Sequence, residues 1–434
     1  MKSALKSIVV SILTAEARLA LSRRKPKIIA VTGNVGKTST KDAIAAVLIE
    51  AYGADAVRKS EKSLNSEIGL PLAILGLETA WSSAAGWLRN IRLGFRAALS
   101  KDSIPEWLVL EVGADHPGDI ESVTRWLKPD IAVLTRMSDI PVHVEFFKDA
   151  SEVLREKMFL AKALKPGGTL VVNANDPHFV DPVKTIEANK VFYGAKKGMA
   201  AEIVESEIMY DNGPLGLPTG QSAVIRIGNN EARIELPGVL GSHLVYPIAA
   251  SCAVAAVLGI ESSVKKAFRN FETPKGRMRI IDGINTSAII DDTYNSSPLA
   301  CKEALRAVGV LSTRGRKIAA LGDMKELGSN TEAAHRDVGV LAAETLHTLV
   351  TVGEAAKFIA AGARSAGMAA DRILSFDDSL AAADALHDFV RAGDVVLVKG
   401  SQSMRMERVS KALLAKPEQA PDLLVRQDEE WLKR

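Results

Sequence analysis

A glycine-containing segment near the start of the chain has the residue types of a phosphate-binding loop. Residues 32–39 read Thr-Gly-Asn-Val-Gly-Lys-Thr-Ser and lie between a β-branched run, residues 27–31, and a predicted helix. In such a turn, backbone N–H groups and the helix N-terminus face phosphate oxygens, while Lys37 reaches the terminal phosphates and the Thr38 hydroxyl holds Mg²⁺. The segment therefore predicts a nucleoside triphosphate site, although Val31 stands where the usual motif begins with glycine. The alternative is an ordinary glycine turn followed by an accidental Lys-Thr pair.

Three more ionisable side chains in the N-terminal half are candidates for metal binding or catalysis. Glu111 ends a predicted strand, where open α/β sheets place their ligands, and its carboxylate could bind Mg²⁺. His143, near Glu145, follows another strand and could ligate a second metal, although an isolated histidine is more often structural. Lys157 lies in a helical pattern whose default interpretation is a solvated charged face.

Polar segments also follow three predicted strands in the C-terminal half. They are residues 291–298 (Asp-Asp-Thr-Tyr-Asn-Ser-Ser-Pro), 321–328 (Leu-Gly-Asp-Met-Lys-Glu-Leu-Gly) and 398–401 (Val-Lys-Gly-Ser). Each alone could be a turn. Because the carboxyl ends of parallel strands meet at one edge of a sheet, the three together predict a ligand-binding rim.

The elements that must position these residues form two alternating series of strands and helices. The strand-like runs are residues 27–31, 107–110, 130–134 and 169–172 in the first series, and residues 288–291, 318–321, 349–352 and 395–398 in the second. Such apolar runs are typical of parallel strands buried on both faces. The fold class is therefore α/β: a P-loop-containing central ATPase domain with a parallel sheet, followed by a smaller Rossmann-like, doubly wound C-terminal α/β domain.

Between the two series the pattern changes. Residues 199–237 are polar and partly alternating, which indicates antiparallel strands added to one edge, and residues 245–258 form an apolar run typical of a buried helix. A Pro-Lys-Gly turn at residues 274–276 could act as a hinge. The domain limits that we expect are residues 1–25 for an N-terminal amphipathic helix, 26–278 for the central domain and 279–434 for the C-terminal domain.

Composition and charge exclude several classes of protein. With 434 residues, 47% of them hydrophobic and 25% charged, the chain suits two or three soluble globular domains. A net charge of +3, with both signs interspersed, gives no support to nucleic-acid binding. Two cysteines without CxxC spacing argue against a disulfide framework or a structural zinc site, so a reducing cytoplasm fits best.

The two ends of the chain have their own patterns. Six apolar residues recur at helical spacing before Pro26, namely Leu5, Ile8, Val9, Ile12, Leu13 and Leu19. This pattern predicts a helix packed on the body of the protein, and peripheral contact with a membrane surface is the alternative. The segment from Lys416 onward contains two prolines and dense charge, and we expect it to be loosely docked.

Taken together, these motifs resemble the Mur ligase family over about residues 27–414. The resemblance rests on residues 32–39, Glu-Val-Gly at 111–113, the 291–298 and 321–328 segments and Lys-Gly-Ser at 399–401. The Asp-Asp-x-Tyr-Asn and Leu-Gly-Asp-Met-x-Glu-Leu-Gly motifs are similar to those of the branch that adds D-alanyl-D-alanine to a UDP-N-acetylmuramoyl-tripeptide. Membership would imply an ATP- and Mg²⁺-dependent ligase of peptidoglycan precursor synthesis, acting on peptide and nucleotide-sugar substrates.

The resemblance also implies roles for individual residues. The expected catalytic residues are Lys37, Glu111, His143 and Lys157, and the expected metal ligands are Thr38, Glu111, His143 and Lys157, with Lys157 carbamylated by CO₂. The expected nucleotide contacts are Gly33, Asn34, Val35, Gly36, Lys37, Thr38, Ser39, Arg277, Asp292, Tyr294 and Asn295. The expected substrate contacts are Asn65, Glu67, Asp323, Lys399 and Ser401.

This sequence departs from the family pattern in two places. Most members carry a nucleotide-sugar-binding domain before the phosphate-binding loop, whereas only the helix over residues 1–25 precedes it here, so a partner that supplies the UDP-binding domain is one expectation. The family's His-Asn-x-x-Asn segment, whose asparagines face adenine, reads His-Leu-Val-Tyr-Pro at residues 243–247. Adenine must therefore be held in another way.

The implied reaction is the transfer of a phosphoryl group from ATP to a carboxylate, followed by attack of an amine on the acyl phosphate. Since water would destroy that intermediate, the second domain should close over the first near Lys275. Two alternatives remain: another amide ligase of the superfamily, similar to folylpolyglutamate or cyanophycin synthetase, or a non-catalytic nucleotide-binding scaffold.

Overall fold

The structure, a computed structural model, describes residues 3–61, 64, 67–80, 83–100, 103–140, 144–241, 244–269 and 271–432. Two predicted site residues, Asn65 and His143, lie outside this part of the chain.

Within the described residues, the N-terminal part is built on a nine-stranded sheet. Its elements are α1 (Ser3–Arg24), β1 (Lys27–Thr32), α2 (Lys37–Tyr52), β2 (Val57–Lys59), α3 (Gly69–Leu75), α4 (Ala84–Leu99), β3 (Trp107–Glu111), α5 (Asp119–Thr124), β4 (Ile131–Leu134), α6 (Ala150–Lys162), β5 (Thr169–Asn173), α7 (Pro177–Val180), β6 (Asn189–Gly194), β7 (Ala201–Tyr210), β8 (Pro218–Ile227), β9 (Asn230–Pro237), α8 (Val245–Leu258) and α9 (Val264–Ala267). The strand order is β2-β3-β1-β4-β5-β6-β7-β8-β9. Pairing is parallel from β2 to β7 and antiparallel from β7 to β9, so the predicted antiparallel edge is confirmed.

The central strands are apolar throughout because helices cover both faces of the sheet. Ile29 and Val31 of β1 pack in the same cluster as α2 and α8. Ile28 and Ala30 point to the opposite face, into the cluster that contains residues of α1, α3, α4 and α6. The predicted buried helix over residues 245–258 is confirmed as α8.

The C-terminal part contains a second sheet, which has six strands among the described residues. Its elements are β10 (Arg279–Gly283), β11 (Ser287–Asp292), α10 (Pro298–Gly309), β12 (Lys317–Gly322), α11 (Thr331–Thr345), β13 (Thr348–Val352), α12 (Ala356–Ser365), β14 (Ile373–Phe376), α13 (Ser379–Phe389), β15 (Val395–Lys399), α14 (Glu407–Ala412), α15 (Ala420–Leu423) and α16 (Glu429–Leu432). The order is β10-β11-β15-β12-β13-β14, and all pairs except β10–β11 are parallel. The predicted α/β class with two sheets is confirmed. The domain limits at residues 25 and 278 remain our proposal.

Both ends of the chain dock more specifically than their patterns predict. In α1, the residues buried against α3 and α4 are Val9, Leu13, Ala17 and Ala20, whereas Ile8, Ile12 and Leu19 are 56%, 37% and 36% exposed. Alanine allows close helix packing but is inconspicuous in a hydrophobic pattern, which is why the predicted stripe is partly wrong. The expected loose docking after Lys416 is also wrong, because Ala420 and Leu424 are buried. Among the described helices, none has the length and apolarity needed to cross a membrane.

The interface between α1 and α4 contains a buried acid. The Glu16 carboxylate faces Gly94, where an added Cβ would lie 2.1 Å from Glu16 Oε2. This oxygen has no hydrogen-bond partner among the residues that the structure describes. Burial raises the pKa of Glu16 to about 7, so in the folded protein the carboxyl stays protonated to a higher pH than in the unfolded chain.

The stability of α1 packing should therefore depend on pH. Because the folded-state pKa is raised, the free energy of unfolding should fall as pH rises from about 5 to about 8. Glu16→Gln should remove this fall and stabilise the protein by roughly 1–3 kcal/mol at the upper end, as measured by thermal unfolding across that range. The exposed Glu418→Gln serves as control; an equal pH response in wild type and Glu16→Gln would contradict the prediction.

Candidate active site

The phosphate-binding loop is held in place by the chain that follows β4. Gly33 has φ +148° and packs so closely that an added Cβ would lie 2.0 Å from Thr135 Oγ1. The Asn34 N–H donates to the Arg136 carbonyl at 2.7 Å. Gly36 has φ +86° and leads directly into α2, a left-handed conformation that favours glycine. The loop is therefore rigidly placed, and the N-terminus of α2 faces the adjacent cavity.

Two lysines share that cavity, which has a volume of about 280 Å³: Lys157 is buried and Lys37 is half-buried. Lys157, on α6, is 2% exposed, and burial together with Lys37 lowers its pKa to about 7. Burial also lowers the pKa of Lys37, whose Nζ donates to the Asn34 carbonyl at 3.3 Å. In the described part of the chain, Lys157 Nζ makes no hydrogen bond or ion pair. Two cations that line one cavity favour an anionic ligand there.

Oxygen ligands suited to Mg²⁺ lie beside the lysines. The Thr38 hydroxyl donates to Glu111 Oε2 at 2.8 Å, and the Glu111 N–H donates to Ser60 Oγ at 3.0 Å. No group of three or more His, Cys, Asp or Glu side chains is arranged for a metal within the described ranges. A hydroxyl and a single carboxylate suit a hard cation that takes its remaining ligands from phosphate and water, so these residues fit Mg²⁺ bound together with a nucleotide.

The opposite wall of the cavity comes from the second sheet. Lys399, at the end of β15, donates through Nζ to Asp292 Oδ2 at 2.6 Å and to the Asn295 carbonyl at 2.9 Å. The Arg277 guanidinium lies over the Tyr294 ring at 4.3 Å. This wall therefore offers cations, a carboxylate and an aromatic ring to the same space that the phosphate-binding loop faces.

Most of the predicted site residues meet in this cavity. Those that line it are Asn34, Val35, Gly36, Lys37, Thr38, Ser39, Glu111, Lys157, Arg277, Asp292, Tyr294, Asn295 and Lys399. Gly33, Glu67, Asp323 and Ser401 are not among the lining residues. Gly33 instead packs against Thr135.

The three predicted substrate residues outside the cavity have structural partners. Glu67 pairs with Lys6 of α1 at 3.0 Å, and both side chains are about half exposed. Asp323 accepts from the Ala356 N–H at 2.8 Å, and its carbonyl accepts from the Ser401 N–H at 3.0 Å. Asp323 and Ser401 thus stabilise the ends of β12 and β15, and their contact with substrate remains a prediction.

Several residues of the site were not anticipated. Asp115 lines the cavity and its charge acts on both lysines; its position four residues after Glu111, in a loop that follows a strand, was the available signal. Arg426 donates to the Thr293 and Tyr294 carbonyls at 2.8 and 2.9 Å, and so supports the wall that carries Tyr294. The sequence around Arg426 offers no signal for this contact.

A phosphate-binding loop that faces a second α/β domain across one cavity defines a nucleotide-dependent two-domain protein. Comparison with protein-family models identifies the family: the Mur ligase middle domain matches residues 88–255, and the Mur ligase glutamate ligase domain matches residues 276–402. The chain belongs to the Mur ligase family, which confirms the resemblance found in its motifs.

Individual relatives refine the comparison. UDP-N-acetylmuramoyl-tripeptide–D-alanyl-D-alanine ligase of Bacillus subtilis (strain 168) is 27% identical over 416 residues, which cover 94% of this chain and 81% of the relative. The crystal structure of MurF ligase from Thermotoga maritima in complex with ADP has a TM-score of 0.75 and 27% identity, and the match covers 93% of this chain and 83% of that one. Folylpolyglutamate synthase of Mycobacterium tuberculosis, complexed with ADP and AMPPCP, has a TM-score of 0.64 at 15% identity over 94% and 95% of the two chains, a similarity of fold alone.

The tail contact generates a prediction. Arg426→Met leaves two carbonyl groups and Glu407, 3.5 Å away, without this cation, and we expect a loss of roughly 2–4 kcal/mol in unfolding free energy. Denaturant unfolding measures the loss, with the exposed Arg364→Met as control. Equal stability of the two variants would show that the tail does not support the Tyr294 wall.

Proposed function

We propose that the protein is an ATP-dependent ligase of peptidoglycan precursor synthesis, which adds D-alanyl-D-alanine to a UDP-N-acetylmuramoyl-tripeptide-like acceptor in the cytoplasm. The observation that supports this most directly is the cavity that joins Lys37, Lys157, Thr38 and Glu111 to the Asp292 wall of the second sheet. The relatives named for this reaction align along most of the chain.

In the first step, an oxygen of the acceptor carboxylate attacks the γ-phosphorus of ATP. A carboxylate O–P bond forms, the bond to the β-phosphate oxygen breaks, and ADP leaves. Lys37 and the N-terminus of α2 stabilise the negative charge on the phosphoryl oxygens during transfer. Mg²⁺ held by Thr38 and Glu111 would neutralise further phosphate charge when bound.

In the second step, the dipeptide amine attacks the acyl carbon, and phosphate leaves from the tetrahedral intermediate as the amine loses its proton. The cavity suits this step because it lies between the two domains, and their closure around the substrates would exclude water from the acyl phosphate. The contacts between the domains include an ion pair of Arg136 with Glu303 at 3.5 Å and a hydrogen bond from the Ser312 N–H to the Tyr210 hydroxyl at 2.9 Å. We propose that opening near Lys275 admits substrates.

Carbamylation of Lys157 is part of the proposal. With a pKa of about 7, a large fraction of Lys157 is a neutral amine at physiological pH, and a neutral amine attacks CO₂ to form an N–C bond with loss of a proton. The carbamate is an anion, so the repulsion between Lys157 and Lys37 becomes an attraction. Its oxygens also suit Mg²⁺ in a way that an ammonium group does not.

The substrate assignment is tested by phosphate release. We expect ATP turnover to require both a muramoyl-tripeptide acceptor and D-alanyl-D-alanine, and Lys37→Met to lower it about 10²–10³-fold while the fold persists by circular dichroism. Release that depends instead on a folate acceptor and glutamate would assign the chain to the folylpolyglutamate-like alternative. No turnover with either pair would favour a nucleotide-binding scaffold.

Carbamylation predicts a dependence on CO₂ and on pH. Depletion of CO₂ should lower the activity and added bicarbonate should restore it, and the activity should fall as pH drops below about 7 because protonated Lys157 cannot form a carbamate. A carbamate signal in ¹³C NMR after addition of labelled bicarbonate, absent from Lys157→Ala, measures the modification itself. A wild-type enzyme that lacks this signal and ignores bicarbonate would contradict the prediction.

A further inference from the structure

Helix α4 exposes apolar and basic side chains together. Leu88 and Phe95 are 70% and 54% exposed, and Leu99, one turn beyond Phe95, is also exposed. Its exposed arginines are Arg89, Arg92 and Arg96. The helix contains no Asp or Glu over its 16 residues. An exposed apolar stripe flanked by arginines, on a helix that has no acidic residue of its own, has the charge and polarity of a surface-binding helix.

Helix α1 continues this pattern beside α4. Ile8, Ile12 and Leu19 lie on one exposed side of the helix, and Arg18 and Arg23 are exposed near its end. The sole acid in the sequence of α1 is Glu16, and its carboxylate is buried against Gly94 of α4. We call the following exposed side chains the basic two-helix surface: Leu88, Arg89, Arg92, Phe95, Arg96 and Leu99 of α4, and Ile8, Ile12, Arg18, Leu19 and Arg23 of α1.

A basic cavity of about 650 Å³ adjoins the end of α1. Its basic lining residues are Arg18, Lys25, Arg125, Lys128 and Lys165, together with the ring of Trp126, and no described lining residue is acidic. Two of the cations have partners nearby, since Arg125 pairs with Glu121 and Lys165 with Asp130. The positive charge of the cavity therefore comes mainly from its other three cations, Arg18, Lys25 and Lys128. Such a charge suits a phosphate group.

We propose that the basic two-helix surface binds the anionic headgroups of a lipid bilayer, with its leucine, isoleucine and phenylalanine side chains in the interfacial region. Charge complementarity favours this occupant: arginines attract an anionic leaflet, and exposed aliphatic and aromatic side chains gain from the acyl boundary. A second copy of the chain fits less well, because a symmetric contact would place arginines against arginines. A nucleic-acid backbone would leave the apolar stripe without a partner.

The location of this surface is compatible with catalysis. The basic cavity contains Pro26 and Ile28, so it lies where β1 begins, whereas the active-site cavity lies beyond the carboxyl ends of β1 and β3. The two cavities therefore occupy opposite edges of the first sheet, and a bilayer at one leaves the other accessible. The inference does not depend on which reaction the chain catalyses.

Vesicle flotation of the full chain tests the proposal. We expect it to float with vesicles of phosphatidylcholine and phosphatidylglycerol but not of phosphatidylcholine alone, and to be released by high salt. Arg92→Glu combined with Arg96→Glu should weaken binding at least about thirty-fold. The control with the same charge change is Lys196→Glu combined with Lys197→Glu, on an exposed turn.

The apolar contribution has its own matched pair of variants. Leu88→Ser combined with Phe95→Ser should weaken flotation about ten-fold or more, whereas Val310→Ser combined with Leu380→Ser, at 68% and 55% exposure, should not. Absence of flotation with anionic vesicles, or equal flotation of both charge variants, would overturn the proposal. So would sedimentation equilibrium that shows a dimer dissociated by the Leu88 and Phe95 changes, since a second copy would then be the occupant.

Discussion

The site depends on two ammonium groups that the fold brings together in one cavity. Lys37 and Lys157 come from different helices, and burial together with the charge of Lys37 lowers the pKa of Lys157. The carboxylates of Glu111 and Asp115 in the same cavity offset part of this positive charge, and a bound phosphate would offset more of it. Glu156, the neighbour of Lys157, anchors α6 by accepting from the Gly118 and Ile120 N–H groups at 3.0 and 2.6 Å. The position of the lysine on α6 is thus fixed by hydrogen bonds of its neighbour, whose charge also partly offsets the low pKa of Lys157.

The same constraint explains the role of the second domain. One wall alone would leave the phosphate-binding loop open to water, where screening would weaken both lysines. The second sheet contributes Lys399 and Asp292 as an ion pair that is itself buried, so this wall is polar without adding a large net charge. The interdomain contacts through Arg136 and Tyr210 lie outside the cavity lining.

The sequence predicts the parts of this site that depend on local rules. Glu111 and the Asp292 rim follow strands, and the carboxyl ends of parallel strands converge whatever the tertiary details. Lys157 could not be predicted from residues alone, since a lysine on a helix is solvated by default and its burial results from packing of α6 against the sheet. The contact of Arg426 with the Tyr294 wall and the burial of the alanine face of α1 were not predicted for a related reason. Both depend on contacts between segments far apart in the chain. Asp323 and Ser401 also stabilise the ends of β12 and β15 through hydrogen bonds, a structural role that the sequence pattern alone does not reveal.

The first sheet separates two kinds of chemistry by the direction of its strands. At the carboxyl ends, the N-terminus of α2 and the side chains of Lys37 and Lys157 face one cavity between the domains, where limited contact with water strengthens their effect on phosphate. At the amino ends, the basic cavity and the helices α1 and α4 present cations on an open surface, where each contributes little singly and the sum is sensitive to salt. Strand β1 runs directly from the basic two-helix surface to the active-site cavity. A protein held at a bilayer by that surface would therefore direct the active-site cavity toward the aqueous phase. ATP and a nucleotide-linked acceptor would then reach the cavity without crossing the surface that holds the enzyme.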